Sequence, residues 1–126
     1  MQIFTSSISV PANSTIQNVL QNLGARVRTI QQNYRFARLT LFATGSATGL
    51  SLSFYVGSRN PIESSTVNTQ NRIPVVPDDL VATDMYGTGN DQLQLQATNS
   101  TAGALTLFFR IEIEQISQSE AVALAV

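Results

Sequence analysis

The sequence predicts an all-β protein, a two-sheet antiparallel β-sandwich of the single jelly-roll kind, and three observations carry that expectation. Apolar residues recur at every second position along most of the chain, the period of strands with one face buried. Clusters of Gly, Pro, Asn and Ser interrupt these runs about every 8 to 12 residues, as turns do in sandwiches. The runs number about seven or eight, enough for two sheets. The chain contains no Cys and no Trp, so the Cys-Trp-Cys core of immunoglobulin sandwiches is absent, and a long final run with a Pro-containing crossover favours the jelly roll.

Near the N-terminus Ile8 and Val10 precede Pro11. Residues 15–23 admit two readings, a short helix or a strand. Ile16, Val19, Leu20 and Leu23 have helical spacing, with Asn13 or Ser14 as cap and Gly24 as stop. From Arg35 to Gly45, Leu39, Leu41 and Ala43 fall on one face and Arg38, Thr40 and Phe42 on the other. After the loop from Gly45 to Gly49, Leu50, Leu52, Phe54 and Val56 alternate with Ser51, Ser53 and Tyr55, which predicts a β-hairpin. Gly57 to Asp79 holds three of the 4 prolines. It predicts a strand at Ile62–Val67 and then extended loop, because Pro74 and Pro77 cannot donate to a ladder. A strand at Leu80–Tyr86 ends in a turn at Gly87 to Asp91. A second hairpin is predicted from Leu93, Leu95 and Ala97, the turn Asn99 to Gly103, and the clearest strand of all, Leu105, Leu107, Phe109, Ile111 and Ile113.

At 126 residues the chain, residues 1–126, fits one domain that buries roughly two thirds of its unfolded surface. Ser, Thr, Asn and Gln make up more than a third of it, Lys, His, Cys and Trp are absent, and charged residues are 12% against about 25% in average domains. A net charge of −1 fits neither a disordered polyanion nor a nucleic-acid-coating polycation. No disulfide or thiolate chemistry is open to a chain without Cys. The N-terminal residues lack the pattern of a signal peptide, and no apolar run approaches the 18 or so residues of a membrane span. The expectation is a soluble protein made in the cytosol.

The composition argues against an enzyme. A Ser or Thr nucleophile needs a base, and without His or Lys only a carboxylate or the terminal amine remains. Paired carboxylates could be drawn from Asp78, Asp79, Asp84, Asp91, Glu112 and Glu114, but Glu112 and Glu114 share a strand face with Arg110 and read as a solvated or interface strip. Asp78-Asp79 follows Pro77, and turn capping is favoured over a Ca²⁺ site shared with Asp84 or Asp91. No cofactor is expected. Gly87-Thr88-Gly89 lacks the further glycine, Lys and helix of a phosphate loop. The sequons at Asn13 and Asn99 are chance matches in so Asn-, Ser- and Thr-rich a chain.

Arg26, Arg28, Arg35 and Arg38 crowd together with Tyr34 and Phe36. Arg with aromatics suits a nucleic-acid groove and equally a protein interface, where Arg, Tyr and Phe are enriched and Lys is depleted. The absence of Lys favours the interface, and direct nucleic-acid binding is not expected. Phe42, Tyr55, Phe108 and Arg110, on strand faces opposite the inferred core, complete the interface candidates. A second cluster, Asp84, Tyr86, Asn90 and Asp91, suits a carbohydrate or a receptor, although sugar stacking favours the missing Trp.

Three stretches carry a resemblance: Phe36 to Tyr55, Ile73 to Leu80, and Asn99 to Leu105. In style and strand order the chain resembles small single jelly-roll capsid proteins of non-enveloped, tailless icosahedral viruses, especially phage-type ones. It departs from many of them in lacking a basic N-terminal arm. The resemblance implies a structural subunit located in the virion and made in the host cytoplasm. That subunit would self-assemble as pentamer or hexamer building blocks into a shell or its vertices, alone or with other capsid proteins. The alternative is a carbohydrate- or receptor-binding module of a spike or adhesin. The apolar tail Ala121 to Val126 would lie on a neighbouring subunit or on the sandwich itself.

Overall fold

The computed structural model describes residues 2–21, 23 and 28–125. Its elements in chain order are β1 (Gln2–Val10), β2 (Ser14–Ile16), β3 (Phe36–Gly45), β4 (Leu50–Val56), β5 (Arg59–Thr66), β6 (Asn68–Thr69), β7 (Leu80–Thr88), β8 (Leu93–Asn99), β9 (Leu105–Gln115) and α1 (Gln118–Ala125). One sheet runs β1-β9-β3, with β7 and the short β6 both beside β3; the other runs β2-β8-β4-β5. β6 pairs parallel to β3, and the other named strands pair antiparallel. Most strands that follow one another in sequence sit in opposite sheets, which is the winding of a jelly roll.

That winding overturns the two predicted hairpins. The segment from Ser46 to Gly49 carries the chain from β3 in one sheet to β4 in the other, and the segment after Asn99 carries it from β8 to β9. The true hairpin is β4–β5, turned at Gly57-Ser58 with Val56 opposite Arg59. Period two reports which side of a strand meets the core. It is the same for two strands facing each other across a core as for two strands paired in a sheet.

Among the described residues of 15–23, the helix expected as one reading does not form. Ser14–Ile16 pairs with Asn99 to Ala97 of β8, and Val19 N–H donates to Leu95 O at 2.8 Å. The helical spacing reflects single turns, in which Gln21 N–H reaches Asn18 O and Leu23 N–H reaches Leu20 O, while Val19 and Leu20 enter the core. Gly24 lies outside the described residues. The helix stands instead at α1, capped by Ser117, whose Oγ accepts from Glu120 N–H at 3.3 Å and donates to Glu120 Oε1 at 3.2 Å. Of the two expectations for the tail, the described part lies on the sandwich itself, with Ala121 buried and α1 against β7 and β3.

Most of the buried apolar residues form one cluster between the sheets. Its largest fully buried side chains are Phe54 from one sheet and Phe109 from the other, each stabilising by about 1.5–3 kcal/mol on burial. Size alternates across the rows: Phe109 lies between Ser6 and Ala43, and Leu52 lies beside Ala97. Gly87, expected in a turn, is the last buried position of β7. A Cβ there would stand 2.4 Å from Ile30 Cδ1 and 2.9 Å from Leu39 Cδ1, so close packing, more than turn flexibility, requires the glycine.

Two polar side chains are built into the loop end of the sandwich. Asn99, 1% exposed, donates from Nδ2 to Val10 O at 3.0 Å and Gly103 O at 2.8 Å, and its Oδ1 accepts from Thr101 N–H at 2.9 Å and Thr101 Oγ1 at 2.7 Å. So engaged, Asn99 is not open to glycosylation. Asp79 organises residues 67–79: its carboxylate accepts from Val75 N–H at 2.8 Å and Asn68 Nδ2 at 3.3 Å and meets Arg72 at 3.3 Å. This is the expected turn capping. Burial raises the Asp79 pKa, but those hydrogen bonds and the Arg72 charge outweigh it and hold the carboxyl below its ordinary value. Among the described residues no helix is long and apolar enough to cross a membrane.

Candidate functional site

The outward-facing residues of β3 and β9 gather five of the interface candidates on one sheet face: Phe36, Arg38, Phe42, Phe108 and Arg110. Arg38 sits where three elements converge. Its guanidinium lies 3.4 Å from Asp84 of β7, 3.5 Å from Glu114 of β9 and 3.1 Å from Glu120 of α1. The register sets Glu114 directly opposite Arg38 on one side; on the other it sets Tyr86, and Asp84 lies two residues from Tyr86 on the same strand. Arg110 Nε donates to Glu112 at 2.8 Å on its own strand. Phe108 is half-buried, opposite Ser7 and Thr44.

Phe42 corrects an expectation. It lies on the outer face as predicted, yet it is only 4% exposed and stands outside the inter-sheet cluster. Arg110 flanks it on one side and Leu80 on the other. It is buried within the subunit and is no free anchor.

The remaining candidates scatter. Tyr55 is half-buried on the outer face of the other sheet, opposite Gln94. In the connection between β2 and β3, Tyr34 packs on the core, Arg35 is exposed with its guanidinium 5.5 Å from the Phe36 ring, and Arg28 lines a polar pocket of about 240 Å³ with Asn18, Thr29 and Gln92. Arg26 lies outside the described residues.

The second cluster partly converges. A groove of about 450 Å³ between β5 and β7, closed at one side by Leu124 of α1, is lined by Asp84 and Tyr86 together with Arg59, Asn60 and Pro61. Arg59 organises it, a residue that sequence reasoning missed. Its guanidinium lies 4.8 Å from the Tyr86 ring centroid, Nη2 donates to Tyr86 O at 3.1 Å, and the same nitrogen meets Asp91 Oδ2 at 3.0 Å. Asp91 also accepts from Thr88 N–H at 2.9 Å. Asn90 stands apart in an exposed turn with φ of 71°. The only sequence signal for Arg59 was a lone cation just after a Gly-Ser turn. Glu120 was missed too, although the Ser-x-x-Glu capping pattern at 117–120 pointed to it.

Chemically, these arrangements consume charge. Asp79, Asp84, Asp91, Glu112, Glu114 and Glu120 all lie within salt-bridge distance of an arginine. Among the described residues no three acidic side chains are arranged to hold a metal ion. Exposed apolar residues concentrate instead at Ile73, Val75, Val76 and Leu80, in and beside the loop that Asp79 organises. The sequence matches no protein-family model and aligns significantly with no curated protein.

Proposed function

We propose that this chain is a structural subunit that self-assembles into the shell, or the vertices, of a non-enveloped phage-type virus. The observation that carries the reading is the pairing of its few charges within the subunit, on a jelly-roll frame. Arg38, Arg59, Arg72 and Arg110 each meet a carboxylate of the same chain, which leaves neutral Ser, Thr, Asn and Gln on much of the strand surface. Such faces lose less on desolvation than charged ones, so they can be buried between subunits once hydrogen-bonded. Jelly rolls serve in viral capsids and also in lectins, and the fold alone does not choose between them.

The test is the mass of the purified protein by light scattering, with negative-stain images of the same sample, with and without a calcium chelator. Pentamers, hexamers or closed shells are expected; a monomer at every concentration refutes the reading. Loss of assembly in chelator alone would add a bridging ion to it. The groove beside Tyr86 favours one alternative, a carbohydrate- or receptor-binding module, with Arg59 already covering part of the ring. Binding on a glycan array, abolished by Tyr86→Ala, would establish that alternative.

A further inference from the structure

We infer that β1 is the edge at which two copies of this chain join, strand to strand and antiparallel, into one continuous sheet. An edge strand presents a row of free N–H and C=O groups. Proteins blunt such edges with short length, charge, proline, bulges or a covering element.

The other three sheet edges are blunted in these ways. β2 is 3 residues long. β5 carries Arg59, Pro61 and Glu63, has Ser64 at φ of 49°, and slips register against β4. β7 carries Asp84 at φ of 58°, slips register against β3, and is packed by α1. β1 has none of these devices. It runs for 9 residues without a charge or a proline, alternates evenly in exposure, and keeps unbroken register with β9. Among the described residues β9 is its only sheet neighbour.

A second copy is the occupant because β1 is complementary to itself. Antiparallel pairing over the full strand centres on Ser6. On the outer face it sets Thr5 opposite Ser7 of the second copy and Ile3 opposite Ser9. On the core face it sets Phe4 opposite Ile8 and Gln2 opposite Val10. Outer residues meet outer ones, no charge meets another, and Phe4 and Ile8, only partly buried in the subunit, gain apolar partners. The contact is isologous and closes with two-fold symmetry. This inference rests on the self-assembly reading and names one of its contacts.

Two double variants test it by sedimentation and light scattering across concentration. Thr5→Glu with Ser7→Glu sets like charges opposite each other at two symmetry-related places; Thr5→Glu with Ser7→Lys sets opposite charges there. Both side chains are exposed, and Thr5 faces Arg110 on β9, so the subunit tolerates the changes, which an unshifted melting temperature of the dilute protein verifies. The expected result is two-fold association of the wild type, weakened at least about tenfold in the like-charge variant and restored in the opposite-charge variant. If the like-charge variant assembles as the wild type does, this edge is overturned and self-assembly stands. A monomeric wild type overturns both. An opposite-charge variant as weak as the like-charge one overturns pairing of β1 with itself.

Discussion

Asn99→Ala should be among the most damaging polar substitutions in the protein, and the hydrogen bonds give its size. The side chain is 1% exposed and serves Val10 O, Gly103 O, Thr101 N–H and Thr101 Oγ1. Thr101 Oγ1 also lies 2.9 Å from Gly103 O, and its single proton can turn there in the variant, so those two groups keep a partner. Val10 O also keeps one, since Val10 stands opposite Leu105 at the last rung of the β1–β9 ladder, but Thr101 N–H does not. Leaving that donor unpaired costs about 1–3 kcal/mol and losing the second bond to Val10 O about 1 kcal/mol more, which puts the loss at about 2–4 kcal/mol. For a domain of this size that corresponds to a fall of about 10 °C in melting temperature, read by calorimetry on dilute protein. Asn99→Asp sharpens the test. It keeps the acceptor for Thr101 but turns a carboxylate toward two carbonyls, so its folded-state pKa is raised. The native state then binds more protons than the unfolded one, and the deficit relative to wild type must shrink as the pH falls. A drop below about 3 °C for Asn99→Ala, or a pH-independent deficit for Asn99→Asp, would refute the reasoning.

Asp79, whose pKa is lowered, contributes stability that is complete above its unfolded value of about 3.9 and is lost as the pH falls through the folded one; Asp79→Asn should be less stable at neutral pH and show a flatter acid limb in melts between about pH 2 and 6. Gly87→Ala forces a methyl against Ile30 and Leu39 and should cost about 1–3 kcal/mol, part of it recovered by Ile30→Val; a neutral result would refute the packing account. Arg38→Ala removes contacts that are partly exposed, so global stability should fall by less than about 1 kcal/mol. Amide exchange in 118–124 should nevertheless accelerate, and unchanged protection there would show that Ala121 alone holds α1.

Much of this fold was legible because burial on a strand is a local property. The alternation in Leu39 to Ala43, Leu50 to Val56 and Leu105 to Ile113 names the core-facing residues correctly. Pairing is not local, and there the reading failed: Leu39 to Ala43 and Leu50 to Val56 look like the two arms of one hairpin until β9 and β8 take their places as partners. Phe42 was misjudged for a related reason, since its parity is right and its burial depends on neighbours from β9 and β7. The Arg38 hub was half visible. Arg38 stood out in its basic cluster, but Asp84, Glu114 and Glu120 come from three separate elements that only the sheet register and α1 bring together.

The sheet order also decides when the molecule can fold. β9 lies between β1 and β3, and Gln2 finds Ile113 as its partner, so the first strand waits for the last. Apart from the β4–β5 hairpin, little can form from neighbouring sequence alone, and such distant pairings fold in about milliseconds to seconds, far slower than helical bundles. On the ribosome, a nascent chain lacking β9 has neither a central strand for one sheet nor a lid for the apolar face of the other. Folding is therefore held back until synthesis is nearly complete.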